Sequence, residues 1–130
     1  MKRELKFRAW DSEENKMMPV KILDWKDDLC TVDEGDNTIT DHIEMFEIMQ
    51  QTGIKDLNGD IIFEGDIIEV PDDYDTYGFN AGEIYEIFFN AGGFRCKPKL
   101  NPKAKGIWLE DDGEFKIIGN IYQNPDLRPS

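Results

Sequence analysis

The segment that most constrains the fold of this chain is residues 54–70, where two turn signals separate short apolar runs. Asn58-Gly59 favours a type I′ turn, because both central residues of that turn need a positive φ. Gly65 ends the next apolar run, and Asp66 opens another. Runs this short, rich in Ile and bounded by Gly and Asp, are typical of β-strands joined by tight turns. The segment therefore predicts two consecutive strands, and we expect the rest of the fold to pack against them.

Further short apolar runs recur along the whole chain at intervals of roughly 8–12 residues. The predicted strands lie near residues 5–10, 17–23, 29–32, 45–51, 61–63, 67–70, 82–89, 94–96, 106–109 and 115–118. Polar or glycine-containing turns separate them, and no repeat or low-complexity linker interrupts the series. The pattern predicts an all-β, mainly antiparallel fold with at most one short helix, arranged as a barrel or a sandwich.

Residues 39–51 allow two interpretations. Ile39, Ile43 and Phe46 recur at helical spacing, whereas Phe46 and Ile48 before Thr52 also fit a strand. Short apolar runs cannot be assigned from their period alone. We predict a strand over residues 45–51, preceded by a helical turn.

Size and composition point to a folded, water-soluble chain. It has 130 residues, the size of one domain, and a hydrophobic fraction of 39%. No apolar run approaches the roughly 18 residues of a membrane span. The charged N-terminus lacks the apolar core of a signal peptide, so we expect a cytoplasmic protein without a membrane partner.

Two cysteines and one histidine limit the metal chemistry that the chain could support. Cys30 and Cys96 are far apart in sequence, and in a reducing compartment such cysteines are expected to be free. With His42 as the one histidine, they are too few for a zinc site without acidic ligands. We therefore predict no metal and no cofactor.

The net charge of −13 is unevenly distributed. Residues 1–55 hold 8 basic and 13 acidic side chains, residues 56–95 hold 1 and 10, and residues 96–130 hold 6 and 5. Because phosphate contacts need Lys and Arg, this balance disfavours general nucleic-acid binding. The acidic excess is either a solvated surface or a mimic of the charge of DNA that occupies a DNA-binding protein.

The acidic turn at residues 56–60 invites comparison with a calcium-binding loop. Asp56, Asn58 and Asp60 have the alternate spacing of the first ligands in such a loop. An EF-hand loop also needs glycine at its sixth position and glutamate at its twelfth. Those positions hold Ile61 and Ile67. The comparison fails, and a hairpin turn explains the same residues.

No arrangement of catalytic residues is recognisable. His42 lies near Asp41 and Glu44, but no nucleophile motif is available to complete a triad. The glycines at residues 91–93 lack the lysine and the helix start of a phosphate-binding loop. The acidic loop at residues 71–78 is better explained as solvated surface than as a cation site. We predict no catalytic residue and no enzymatic activity.

The segment most suggestive of binding is residues 88–108, where basic and aromatic residues occur together. The basic residues are Arg95, Lys97, Lys99, Lys103 and Lys105, and the aromatic residues are Phe88, Phe89, Phe94 and Trp108. Basic side chains with stacking aromatics are typical of single-stranded nucleic acid binding. The aromatic residues, however, fall at strand positions and are predicted to lie in the core, and the net charge opposes a nucleic acid.

Three segments of the chain resemble the YopX family of phage and prophage proteins. They are residues 6–11 (Lys-Phe-Arg-Ala-Trp-Asp), residues 49–60 followed by 62–68, and residues 118–125. The segments occur in the family's order and span nearly the whole chain. The motif residues that we expect to be structural are Trp10, Thr52, Gly53, Asp56, Asn58, Gly59, Gly65, Asp66, Gly119, Asn120 and Tyr122.

The resemblance implies an SH3-like β-barrel combined with β-hairpins, and a phage or prophage protein expressed in a bacterial host. It supplies no activity and therefore no catalytic residue. We expect a single domain, with N-terminal hairpins over residues 1–53 and a barrel-like part over residues 54–125. Our hypothesis is a non-catalytic interaction module that contacts an unknown host or phage protein or forms a homo-oligomer. The alternative is nucleic-acid binding through residues 95–105.

Overall fold

The computed structural model of the chain describes residues 6–71, 82–90, 92–99, 106–109 and 114–128. Its strands are β1 (Phe7–Asp11), β2 (Lys16–Asp24), β3 (Leu29–Asp33), β4 (Thr38–His42), β5 (Glu47–Lys55), β6 (Ile61–Phe63), β7 (Asp66–Glu69), β8 (Ile84–Asn90), β9 (Gly93–Pro98), β10 (Ile107–Trp108) and β11 (Lys116–Asn120). Two 3₁₀ turns, Ile43–Met45 and Pro125–Leu127, are the helical elements of the described residues. The fold is all-β, as the sequence predicts, and none of these helices could cross a membrane.

The chain divides into two compact units, Met1–Gln51 and Thr52–Ser130. Strand β5 begins in the first unit and ends in the second. The predicted division of a single domain after residue 53 stays a prediction.

The first unit contains an antiparallel sheet in the order β4-β3-β2-β1-β5. One face of this sheet carries the core, which consists of Ala9, Met18, Cys30 and Val32 with Val20, Leu23, Ile43, Phe46 and Ile48 packed against them. The segment 39–51 runs from β4 through a 3₁₀ turn into β5, so the predicted strand after a helical turn is confirmed.

The pairing of β2 with β3 is interrupted by a bulge at Lys21. Val20 pairs with Val32, and the next pair is Ile22 with Thr31. The extra residue shifts the alternation of side chains. Leu23 therefore packs into the core, while Ile22 is 59% exposed on the opposite side of the sheet.

The second unit contains an antiparallel sheet in the order β10-β9-β8-β7-β11. Its core is formed by Ile62, Ile68, Val70, Tyr85, Ile87, Cys96 and Phe115. Strand β6 lies beside β5. The described strands do not close into a barrel, so the SH3-like barrel stays a prediction.

The turn between β5 and β6 is present where the sequence predicts it, but the predicted turn type is wrong. Among described residues other than glycine, positive φ occurs at Asn15 and Asp28, and not at Asn58. The Gly59 N–H donates to the Asp56 carbonyl (3.0 Å), and Gly59 has a φ of +84°. A turn with negative φ at its central residues, followed by a glycine bulge, replaces type I′ because only one residue takes the left-handed conformation.

Candidate functional site

Asp56, the first acidic residue of the family motif, is 8% exposed and fully engaged with backbone donors. Its Oδ1 accepts hydrogen bonds from the N–H groups of Asn58 and Asp60, both at 2.9 Å. Its Oδ2 accepts from the N–H of Ile117 in β11 at 3.2 Å. These bonds close the turn and attach it to β11, an edge strand of the second sheet. The carboxylate thus stabilises the turn and pairs with the exposed edge of β11, and a role as a metal ligand is not needed to explain these contacts.

Thr52 and Gly53 shape the end of β5. The Thr52 hydroxyl donates to the carbonyl of Ile62 (2.8 Å) and accepts from the N–H of Ile54 (3.1 Å). Gly53 has a φ of +84°, which other residues adopt only with strain. Trp10 of the first unit is 7% exposed. Thr52 and Gly53 are therefore accounted for by the local structure at the end of β5.

Gly65 and Asp66 form the turn that leads into β7. The Gly65 N–H donates to the carbonyl of Ile87 (2.8 Å), and the Gly65 carbonyl accepts from the N–H of Ile121 (2.9 Å). Asp66 is 2% exposed, and its Oδ2 accepts from the N–H of Phe63 at 2.8 Å. A buried carboxylate is tolerated only when it is hydrogen-bonded in this way.

Asn120 organises the turn after β11. Its Oδ1 accepts from the N–H groups of Tyr122 (3.0 Å) and Gln123 (2.9 Å), and its Nδ2 donates to Gln123 Oε1 (2.7 Å). The Asn120 N–H donates to Asn124 Oδ1 at 3.2 Å. A Cβ atom at Gly119 would overlap that same oxygen. The C-terminal motif is therefore a hydrogen-bonded turn in which the Asn124 side chain packs directly against the backbone of Gly119.

A different kind of surface lies on the outward face of β8, β9 and β10. Phe88 pairs with Arg95, and Arg95 pairs with Trp108, so the three side chains form one row across three strands. The Arg95 Cζ atom lies 4.0 Å from the centroid of the Trp108 ring. We call Phe88, Arg95 and Trp108 the aromatic–cation row.

Two glycines hold the rings of this row in place. A Cβ atom at Gly93 would overlap the ring of Trp108, which lies against the bare backbone there. A Cβ atom at Gly106 would lie 2.9 Å from Phe88 Cζ. Aromatic rings that cover glycine in a sheet are held by backbone contact. The row is therefore ordered before any partner arrives.

The prediction that all four aromatic residues of this segment lie in the core is wrong. Trp108 is 46% exposed and Phe89 is 54% exposed. Trp108 stands on the two-residue edge strand β10, whose alternation directs Ile107 to the core and Trp108 outward. Phe89 lies at the end of the β8–β9 hairpin and meets Phe94 edge-on, with ring centroids 5.3 Å apart.

The five predicted basic contacts differ in their surroundings. Arg95 stacks on Trp108, and its Nε is buried without a hydrogen-bond partner among the described residues. Lys97 pairs across the strands with Glu86. Lys99 Nζ donates to the Asp126 carbonyl at 2.8 Å, so Lys99 already holds the C-terminal turn. Lys103 and Lys105 lie outside the described residues.

Glu86 lies on the same outward face as the row, and it is only 7% exposed. Arg128 Nε donates to Glu86 Oε1 at 2.8 Å. This pair and the Lys99 contact fasten residues 125–128 to the sheet. No local sequence signal indicates this contact, because its partners lie 42 positions apart in the chain.

The remaining candidates form no site. His42 is exposed in an open groove that is also lined by Asp28, Ile43 and Glu44. Within the described ranges, no group of three or more His, Cys, Asp or Glu residues could hold a metal ion. The acidic loop at residues 71–78 falls outside the described residues from residue 72 onward.

Both cysteines are free and buried. Burial raises the pKa of the Cys30 thiol and raises the pKa of the Cys96 thiol much further. A thiol becomes a nucleophile only as the thiolate, so this environment suppresses cysteine chemistry.

Comparison with known proteins places the chain in a family without adding a reaction. The crystal structure of protein EF1440 from Enterococcus faecalis resembles it with a TM-score of 0.67 and 27% identity, over 97% of this chain and 99% of that one. No curated protein gave a significant match. The family model described as YopX protein matches residues 6–127. Because that match covers nearly the whole chain, the chain belongs to the YopX family.

Proposed function

We propose that this chain is a non-catalytic interaction module that binds a partner protein through the aromatic–cation row. The observation that carries the proposal is the stacking of Arg95 on the half-exposed Trp108 ring. Trp and Arg are among the residues that contribute most binding energy in protein interfaces. The Trp108 ring packs against Gly93 and the Phe88 ring against Gly106. Because these contacts already restrict the side-chain rotamers, little conformational entropy is lost on binding.

The charge around the row indicates which partner surface it fits. No acidic residue lies between Glu86 and Glu110, although the chain carries a net charge of −13. Arg95 and Lys97 alternate on β9 and so share its outward face. A partner segment with carboxylates is complementary to this region. The proposed partner is a host or phage protein that presents such a segment.

Single-stranded nucleic acid is the second candidate for the same row. Stacking of bases on Trp108 and Phe88, with Arg95 beside them, is the arrangement such ligands use. Two observations weigh against it. Lys99 is engaged by the Asp126 carbonyl, and the whole-chain charge repels phosphates.

Selection of peptides from a displayed random library tests the leading proposal. The full chain and its Trp108→Ala variant are used as baits, with Trp25→Ala as the matched control, because Trp25 is also exposed (67%). We expect enriched peptides that carry Asp or Glu and that bind the wild type and Trp25→Ala but not Trp108→Ala. Enrichment that is equal on all three baits, or absent from all three, would contradict the proposal.

Fluorescence anisotropy with labelled single- and double-stranded oligonucleotides tests the second candidate. Measurements at about 50 mM salt favour phosphate contacts most strongly. The leading proposal predicts no binding under these conditions. Binding of the single strand that is lost in Arg95→Gln but kept in Lys21→Gln would replace the protein partner with a nucleic acid.

The biological setting belongs to the same proposal. The family resemblance supports a phage- or prophage-encoded protein that acts in the cytoplasm of a bacterial host, with an SH3-like barrel in its second unit. The charge of −13 supports one further mode, in which an acidic surface mimics DNA and occupies a DNA-binding protein. Competition between this chain and duplex DNA for an isolated partner distinguishes that mode from binding through the row.

A further inference from the structure

Strand β4 (Thr38–His42) is the edge strand of the sheet in the first unit. Within the described part of the chain it pairs with β3 alone, and each of its five residues is exposed or half-buried. An edge strand presents a row of backbone N–H and C=O groups that another strand can pair with. Proteins usually block such edges with proline, lysine or a bulge. β4 contains neither residue, and its register with β3 is uninterrupted.

Hydrogen bonds at the two ends of the β3–β4 pair reveal which groups of β4 face outward. The Ile43 N–H donates to the Asp28 carbonyl, and the Glu34 N–H donates to the Asn37 carbonyl, both at 2.9 Å. Hydrogen-bonded and non-hydrogen-bonded pairs alternate along an antiparallel ladder. In this register, Ile39 and Asp41 exchange hydrogen bonds with β3. The backbone groups of Thr38, Thr40 and His42 therefore point away from the sheet.

Side chains around Thr40 are consistent with this assignment. Thr40 Oγ1 lies 2.6 Å from Thr31 Oγ1, as expected for a close, non-hydrogen-bonded pair. The outward His42 N–H is capped by Asp41 Oδ1 at 2.8 Å. The outward N–H groups of Thr38 and Thr40 have no hydrogen-bond partner among the described residues. The middle of the edge is thus left open.

We propose that β4 pairs antiparallel with β4 of a second copy of this chain, with Thr40 on the two-fold axis. In this register Thr40 faces its own counterpart, and Thr38 faces His42 of the other copy. The open N–H groups of Thr38 and Thr40 then each meet an outward carbonyl of the other copy, that of His42 and that of Thr40 respectively, while the His42 N–H keeps its hydrogen bond to Asp41 Oδ1. Ile39 then lies opposite Asp41, which carries the one formal charge of the strand. No like charges are directly opposed.

The symmetry of the strand favours a second copy over an unrelated strand. The outward residues 38, 40 and 42 are spaced evenly about Thr40, so a two-fold rotation places both open N–H groups, those of Thr38 and Thr40, opposite outward carbonyls. An isologous contact of this kind closes on itself and covers both exposed edges. The net charge of −13 on each copy opposes further growth of the assembly.

Sedimentation velocity of the full chain over a range of concentrations tests the proposal. We expect a monomer–dimer equilibrium that shifts toward the dimer as NaCl is raised, because salt screens the repulsion between two acidic copies. Thr40→Pro removes an outward N–H, a position where an edge strand tolerates proline. Its dimer dissociation constant should rise at least tenfold, with an unchanged circular dichroism spectrum. A wild-type chain that is monomeric at every concentration and salt level would overturn the proposal.

Disulfide trapping tests the register and remains informative if Thr40→Pro fails to fold. Thr40→Cys places two cysteines opposite each other on the axis, within the Cα separation that a disulfide requires. Thr38→Cys is the matched control, because it faces His42 and not itself. The native cysteines are buried, so the wild type sets the background. We expect at least tenfold more covalent dimer from Thr40→Cys; equal cross-linking of both variants would refute this register.

Discussion

Asp56 offers the most direct test of the proposed structural role of the family motif. Asp56→Asn keeps the oxygen that Asn58 and Asp60 need, but it turns an amide donor toward the Ile117 N–H. One buried donor is then left unsatisfied, which costs about 2 kcal/mol of unfolding free energy. Asp56→Ala removes both acceptor oxygens and with them all three hydrogen bonds. The added loss of the two turn hydrogen bonds brings the cost to about 4 kcal/mol.

Urea unfolding followed by circular dichroism measures these costs, and amide hydrogen exchange locates them. The Ile117 amide should lose protection in both variants, because its acceptor is the Asp56 carboxylate. Asp60→Ala is the control: Asp60 lies in the same turn, but its side chain is exposed, and its loss should cost less than about 0.5 kcal/mol. The reasoning is refuted if Asp56→Ala and Asp60→Ala are equally stable, or if Ile117 remains protected.

Three further predictions follow from buried or crowded groups in the structure. Both cysteine thiols should react with Ellman's reagent at pH 8 only after unfolding, since Cys96 is 0% exposed and burial raises the pKa of its thiol; reaction in the folded state would contradict this. Gly119→Ala should lower the unfolding free energy by about 1–3 kcal/mol in urea titrations, because its methyl group overlaps Asn124 Oδ1. Arg128→Gln should cost about 1 kcal/mol in low salt and less in 1 M NaCl, because Arg128 is half-exposed where it meets Glu86.

The sequence predicted strands well because strand and turn signals are local. The 3₁₀ turn and the strand within residues 39–51 could be predicted, because the spacing of neighbouring apolar residues indicates both elements. The type of the Asn58-Gly59 turn could not be predicted. That dipeptide supports both type I′ and a glycine bulge, and the choice depends on the hydrogen bonds of Asp56, including the one to Ile117.

The candidate site was predicted only in part, because it depends on pairing between strands distant in sequence. The segment 88–108 is visibly basic and aromatic, but nothing local shows that Arg95 lies beside Trp108. The exposure of Trp108 follows from the position of β10 at the sheet edge, which is a property of topology. Gly93 and Gly106 resemble ordinary turn residues in the sequence, and only the structure shows the rings that cover them.

Salt dependence separates the two proposed contacts in a single preparation of the protein. The aromatic–cation row would attract a carboxylate-bearing partner through Arg95 and Lys97, and salt weakens such attraction as the screening length falls to about 8 Å at physiological ionic strength. The β4 contact joins two copies that each carry −13, so salt should strengthen it. Selected peptides should therefore bind more weakly at 0.5 M than at 0.05 M NaCl, while the dimer fraction rises. If both contacts respond to salt with the same sign, one of the two assignments is wrong, and Trp108→Ala and Thr40→Pro identify which.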